Sequence, residues 1–600
     1  MQTAATHPHI QSFANPCRAF NFLAAEAVTD PLDGKEKLVL SNWVGDGIGS
    51  LILIDPASGT GEEIRLPDDN GAWALCQHDN RYLIVGTNPN HGMICRLDLC
   101  TRQWAGPLRN PNTAYTWNVE RASDGMLYFT TYPTAEILRY DPEAHTMESI
   151  GAPLPDSGNM YTRQICGLFP GWLVVTGGYV RSHLSAFNLA DSRWHTLSIS
   201  DDPGGFSMEG VTEARLIVKS GGLLGAFSIP EFEGTPFPAE ESFTPIEKAC
   251  RRFGRQVRLS DERLAGADGQ EYFIEGADGR RQFFQVPVPP RETDIVGSMA
   301  VDDHGNIWGS SCFGQTLFRF SPFDGSTWNS PAVCSHMGEI FGIVHHRGLL
   351  FLASYAGGDH VIYDPSKPWD QRSNINPRTL ERVSSHICRP LARSVRGPDG
   401  GVWTGWGAKY GFYGGALSRV DIETLRLEVF EDPIPGQRVM GISAGKEFIF
   451  FSTNPSGEGL PVKDDEPGWL GVWKPGSGLH CKHALGLGDL TASLLAAGDT
   501  VFVAQGDSLA VYDVPMDTFL PPIHLGEICA RLILMAGGIV AALGGGKIFW
   551  IDVASKKILA SEEAPGGAMD GTATPDGNNL ILCTDTGLVL FTPKARNQNS

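Results

Sequence analysis

The sequence contains no apolar run of about 18 residues, so it offers no segment that would cross a bilayer as a helix. Its opening, MQTAATHPHIQSFANPCRAF, lacks the basic stretch and apolar core of a secretory leader, so the expected compartment is the cytoplasm unless a leader was removed. Basic charge is scarce. A formal net charge of -21 disfavours nucleic acid and anionic membrane as partners, while leaving room for a local basic pocket that takes an anionic ligand. No CxxC pair occurs among the 12 cysteines, and buried reduced thiols are expected. Also missing are GxxxxGK[ST], HExxH and a GxGxxG between strand and helix, which removes P-loop phosphate chemistry.

What is present points to a globular all-β protein. With 42% hydrophobic and 19% charged residues the chain can bury a large core and is too weakly charged to be a disordered polymer. Glycine at 71 and proline at 40 fit many tight turns and few long helices. A chain of 600 residues exceeds one ordinary core, so repeats or several domains are required.

The repeats are legible. GAWALCQHDN, RYLIVGTNPNHG, MICRLDLCTR and QWAGPLR read as four short strands with turns, and TWNVERASDG, MLYFTTYPTA, EILRYDPEA and HTMESIGAP repeat them. Units of roughly 40 to 50 residues continue to the end of the chain. Seven follow residue 291, among them GSMAVDDHGNIWGSSCFGQTLFRFSP and PDGGVWTGWGAKYGFYGGALSRVD. The first half holds four clear units and an irregular stretch over 200–290 with room for one or two more. The pattern predicts β-propeller architecture, with two propellers of about six or seven four-stranded blades each, one over 1–290 with an irregular insertion at 200–256 and one over 291–600. One large ring or an interleaved assembly fits the same repeats. The last unit ends at FTPKARNQNS without a fourth strand, so a segment near the amino terminus is expected to supply it. Two insertions, 231–256 and 455–468, read as surface loops, the first with a short helix from about Pro245 to Phe253.

Ligands of such folds meet the loops that lead into the innermost strands, so functional residues should be scattered in sequence and equivalent in repeat position. Those positions hold Trp73, Tyr115, Trp117, Tyr161, Arg163, Asp294, Glu339, His386, Arg389, Arg438, Asp489 and Glu527. In SSHICRPLARS, His386 can move a proton and Arg389 can grip a carboxylate through a bidentate pair. GWGAKYGFYGG sets Lys409, Tyr410 and Tyr413 among glycines that allow close approach. His91 in GTNPNHG, with Tyr161 and Arg163 in NMYTRQICG, completes the set. The candidates for proton transfer are therefore His91, Tyr161, His386 and Tyr410, and those for substrate binding are Arg163, Glu339, Arg389, Lys409 and Tyr413. Turn and strand-edge roles compete with function at each. The tandem His345 and His346 would point to opposite faces of a strand, which argues against joint metal ligation.

The unit VDDHGNIWGSSCFGQTLFRFSP, with its DxxGxxW turn, resembles the repeats of streptogramin-lyase-like propellers. The wider pattern of RP, PDGGVWTGWGAKYG, GGALSRVD and YDP turns is similar to propeller polysaccharide lyases, including the rhamnose-glucuronate lyase group. No complete catalytic set of that group aligns, so none of its catalytic residues transfers. The resemblance implies a carbon–oxygen lyase that cleaves a uronate-containing saccharide by β-elimination, with an arginine neutralising the carboxylate and His or Tyr handling protons. It requires no nucleotide cofactor; a calcium or magnesium ion is compatible as an aid, with metal ligands unknown. An acidic saccharide is the expected partner. A protein-interaction scaffold, with protein partners, and a glycoside or lactone hydrolase are the competing readings.

Overall fold

The computed structural model describes residues 9–45, 47–200, 205–213, 215–229, 231–238, 241–246, 252–336, 338–487 and 491–594. Among them regular structure is almost entirely strand, with a 3-10 turn at Pro565–Gly567. The strands form a succession of antiparallel sheets, mostly four-stranded, in which sequence neighbours pair. This all-β organisation matches what β-propeller blades look like one at a time.

The chain divides into two compact units, Phe20–Arg291 with Gly459–Pro461, and Met1–Ala19 with Glu292–Glu458 and Val462–Ser600. Among the described residues the first contains six sheets, over 22–65, 71–104, 115–149, 162–200, 207–245 and 252–285. The irregular stretch of the sequence resolves into the last two of these, each five-stranded. The short helix expected near 245–253 falls largely on residues 247–251, outside the described residues, and Thr244–Pro245 and Arg252–Phe253 beside them are strand.

The second unit contains seven sheets, over 295–332, 340–382, 387–431, 438–487, 491–524, 529–563 and 570–591. The last has only three strands of its own, and the missing fourth is Ile10–Ala14, paired antiparallel with Gly587–Phe591. Phe13 meets Phe320 of the first sheet edge-on at 4.9 Å. Apolar clusters join each sheet of this unit to the next, and Phe318, Phe320, Ile581 and Leu588 join the seventh to the first. In the six-sheet unit the sixth sheet packs on the first through Leu38, Leu40, Ile52, Ala265 and Tyr272.

Burial follows strand order. Second and third strands lie between neighbouring sheets and are buried on both faces, as in Val402–Ala408, while fourth strands such as Arg193–Ser200 alternate towards solvent. The sequence signature DxxGxxW is a device of this packing. Asp302 accepts the backbone N–H groups of His304 and Asn306 and also the indole N–H of buried Trp308 at 3.0 Å. Asp399 does the same for Trp403 at 2.9 Å, and Asp124 for the Tyr128 hydroxyl at 2.7 Å. A turn carboxylate thus ties the first hairpin to an aromatic residue of the second strand.

Candidate functional site

First strands share a second device. A register shift, or β-bulge, interrupts most of them near their start, between Ala72 and Ala74, Thr162 and Gln164, Ile340 and Gly342, and Val439 and Gly441. A bulge leaves one residue outside the ladder and re-aims its side chain. In the third sheet of the seven-sheet unit the interruption is longer: Ile387–Arg389 pairs with Val402–Ala408, the chain leaves the ladder, and Ser394–Arg396 resumes the pairing.

Arg389 stands at that break. Its guanidinium lies 4.5 Å from the centre of the Tyr355 ring and 4.7 Å from that of Tyr410, and Nη2 donates to the Tyr355 hydroxyl at 3.1 Å. Nη1 is 3.7 Å from Glu458, whose carboxylate also takes Arg438 at 3.0 Å. Burial alone would weaken the charge on Arg389, but Tyr355 and Glu458 hold its pKa above the ordinary value. Arg438 is fixed in turn by Asn454 at 2.7 Å. The insertion at 455–468, expected as a surface loop, therefore delivers a carboxylate to these arginines.

Glu339, just before the strand Ile340–His346, is 8% exposed. The Cys312 thiol donates to its Oε1 at 3.6 Å, and among the described residues the buried Oε2 has no hydrogen-bond partner. Burial pushes the Glu339 pKa up to about 7, against the opposing effects of the Cys312 hydrogen bond and the Arg389 charge. The same burial, with the negative charge of Glu339 beside it, raises the Cys312 thiol well above its ordinary value, so it stays a neutral donor. Tyr355 is locked next to Glu339 by a backbone bond, Tyr355 N–H to the Glu339 carbonyl at 2.9 Å, and by Gln315 donating to its own carbonyl at 2.7 Å. Burial lifts the Tyr355 phenol as well.

His386, Lys409 and Tyr413 are on neighbouring loops but make other contacts. The His386 ring stacks on Phe412 at 5.7 Å and bonds Ser385 at 3.0 Å, with Glu431 at 3.6 Å. Lys409 donates to the Ser385 carbonyl at 3.2 Å and lies over the same Phe412 ring. Tyr413 lies under Lys463 at 4.5 Å. Of the sequence candidates, then, Glu339, Arg389 and Tyr410 come together, and the histidine sits on an adjoining shelf. Asp489 is outside the described residues, and Glu527 pairs with Lys547 at 3.2 Å.

His91, Tyr161 and Arg163 belong to the six-sheet unit. His91 is 3.7 Å from Asp68, itself paired with Arg109, and the His91 backbone is held by buried Asp69. Tyr161 is part of an aromatic cluster: it meets Tyr132 at 4.6 Å, Tyr179 at 5.5 Å and Trp117 at 5.6 Å. Trp117 stacks on Tyr115 at 5.1 Å and touches Trp73 at 5.8 Å. Arg163 covers Tyr179 at 5.0 Å.

Among the described residues three groups could present metal donors: Cys334, His336 and Asp359; Cys481, His483 and Asp517; and His78, Asp79 and Glu143. The first lies near the Glu339 pocket, since Cys334 bonds Gln315 at 3.2 Å, but its His336 also meets Arg382. Sulfur and imidazole donors suit zinc better than calcium or magnesium. The two groups that contain a cysteine therefore suit zinc, while His78, Asp79 and Glu143 offer one imidazole and two carboxylates. His345 faces Asp303 at 4.0 Å and His346 accepts from Arg396 at 2.9 Å, so the tandem histidines serve different neighbours.

Sequence reasoning missed Tyr355, Glu458 and Cys312. Tyr355 follows the second strand of its sheet, as Tyr132 closes the second strand of another, so repeat position could have flagged it. Cys312 follows the second strand of its own sheet in the same way, and Glu458 carries no such signal. No family model and no curated protein matches this chain.

Proposed function

We propose that the two units are β-propellers, one of six and one of seven blades, and that the seven-bladed one is a carbon–oxygen lyase acting on a uronate-containing saccharide. The observation that carries this reading is a buried carboxyl poised near neutrality, Glu339, within electrostatic reach of an arginine clamped between two tyrosines, Arg389. The clasp of Ile10–Ala14 on Gly587–Phe591 and the packing of seventh sheet on first support ring closure.

β-Elimination has to remove a weakly acidic proton from the carbon beside a carboxylate. Arg389 neutralises that carboxylate and stabilises the enolate that forms. Glu339, deprotonated, takes the carbon-bound proton; a base with pKa near the working pH gives the best compromise between availability and strength. The electron pair forms the carbon–carbon double bond, the carbon–oxygen bond breaks, and the leaving oxygen takes the proton of the Tyr410 hydroxyl. The products are an unsaturated uronate and a free hydroxyl end. The Arg389 charge stabilises the phenolate left on Tyr410, which regains its proton from water, while Glu339 returns its proton to solvent. No step is assigned to a cation.

A second reading has its own support. Glu339, neutral through much of the acid range, and Glu458, tied to two arginines, form a pair of carboxyls in unlike environments, the pattern used in glycoside hydrolysis. The two are separated by product. Incubation with a panel of uronate oligosaccharides should develop the ultraviolet band of the unsaturated uronate, with and without chelator. Saturated new reducing ends with no such band would favour the hydrolase.

A further inference from the structure

We infer that the aromatic cluster of the six-sheet unit is a second, non-catalytic site that binds a pyranose saccharide carrying a carboxylate. Three successive sheets contribute to it: Trp73 from the second, Tyr115 and Trp117 from the third, and Tyr161, Arg163 and Tyr179 from the fourth. All of these residues are half-buried, so the cluster keeps accessible surface. Trp73 and Arg163 sit at bulges, where the ladder gives up a residue and re-aims its side chain, and Trp117 lies in the register break between Thr116 and Val119. Tyr179 is held at φ 143°, a region that residues with a β-carbon seldom adopt, so the fold keeps a strained backbone where this ring joins the cluster.

The polar atoms of the cluster narrow the ligand. Among the described residues the buried Trp117 indole N–H has no hydrogen-bond partner, a donor suited to a sugar hydroxyl. Asn118 beside it donates to the Arg163 carbonyl at 3.0 Å and fixes the backbone that carries the arginine. Aromatic faces also attract quaternary ammonium groups, but the guanidinium of Arg163 over Tyr179 already places a positive charge there and repels a second. The same guanidinium attracts a carboxylate. Flat rings for the apolar face of a pyranose, a free indole donor and one cation together select an acidic sugar.

This inference shares with the lyase reading only the class of saccharide, and its test does not depend on turnover. The full-length Glu339→Gln variant is titrated with an oligogalacturonate and with a neutral oligosaccharide of equal length, read by tryptophan fluorescence and calorimetry. The expected result is saturable quenching by the acidic ligand, weakened about tenfold or more by Trp117→Ala. Arg163→Met should cost about tenfold for the acidic ligand and little for the neutral one. Because Arg163 is the cluster's polar member, that variant carries the test if Trp117→Ala fails to fold. Quenching by tetramethylammonium but not by saccharides, equal affinity for neutral and acidic ligands, or indifference to both variants would overturn the inference. A protein that binds here yet makes no unsaturated product would refute the lyase reading alone, and one that makes product without this binding would refute this inference alone.

Discussion

The two units use one backbone device and fill it with different chemistry. In the six-sheet unit the interrupted first strands present Trp73, Trp117 and Arg163, and the result is an aromatic surface. In the seven-sheet unit the corresponding interruptions leave Phe341, Cys388 and Met440 outside the ladder, and charged neighbours dominate: Glu339, Arg389 and Arg438. Arg393 pairs with Asp570 in the same unit, which Arg531 approaches at 3.6 Å. The bulge positions a side chain without specifying it, so repeat architecture can be constant while one unit is built to stack and the other to stabilise charge.

The sharpest way to break this comparison is at Arg389. Arg389→Met should lower kcat/KM for formation of unsaturated product by about a thousandfold, the scale of losing a preorganised charge partner. Arg389→Lys should not restore it, because an ammonium cannot lie flat between Tyr355 and Tyr410 while reaching Glu458. If Trp117→Ala cost as much on a short substrate, the division of labour between the units would be wrong.

The next effect concerns closure. Deleting residues 1–14 removes the outer strand of the seventh sheet together with the Phe13 contact, and exposes the edge of Gly587–Phe591. Calorimetry should show the transition of the seven-sheet unit falling, with about 3 kcal/mol lost, the range of a large core truncation. The transition of the six-sheet unit should stay in place, since its sheets are made from 22–285.

A comparable effect is pH-dependent. The pKa of Glu339 in the fold, about 7, lies above its ordinary value of 4.5, so its protonated form contributes stability that is fully present below 4.5 and lost as pH rises through 7. Glu339→Gln cannot titrate. Relative to wild type it should gain up to roughly 3 kcal/mol in urea unfolding between pH 4 and pH 8.5. Catalysis should run the other way, with kcat/KM of the wild type rising with pH through about 7 as the base loses its proton.

The least effect tests what the units share. Trp308→Phe and Tyr128→Phe each remove one hydrogen bond to a turn aspartate, one per unit. Tyr128→Phe should cost about 1 kcal/mol, and Trp308→Phe that much plus the packing lost with its smaller ring, if the turn device is common to both.

Much of the fold was legible in the sequence because strand alternation and turn aspartates are local. The missing strand after FTPKARNQNS was legible too, since a sheet with three strands advertises an open edge. The sites were less so. DxxGxxW, which carried the likeness to lyase repeats, anchors tryptophans such as Trp308 in the core and says nothing of a substrate. Arg389 and Glu339 stood out by repeat position, but the burial that tunes Glu339 depends on Cys312 and on packing between sheets. Glu458 comes from an insertion whose reach to Arg389 and Arg438 no periodicity encodes.

The most direct test is the absorbance of unsaturated uronate when wild-type protein and Glu339→Gln are incubated, with chelator present, with a panel of uronate oligosaccharides. The account predicts a growing band with wild type and its loss with the variant. No band from wild type on any substrate, or an equal band from Glu339→Gln, would contradict it.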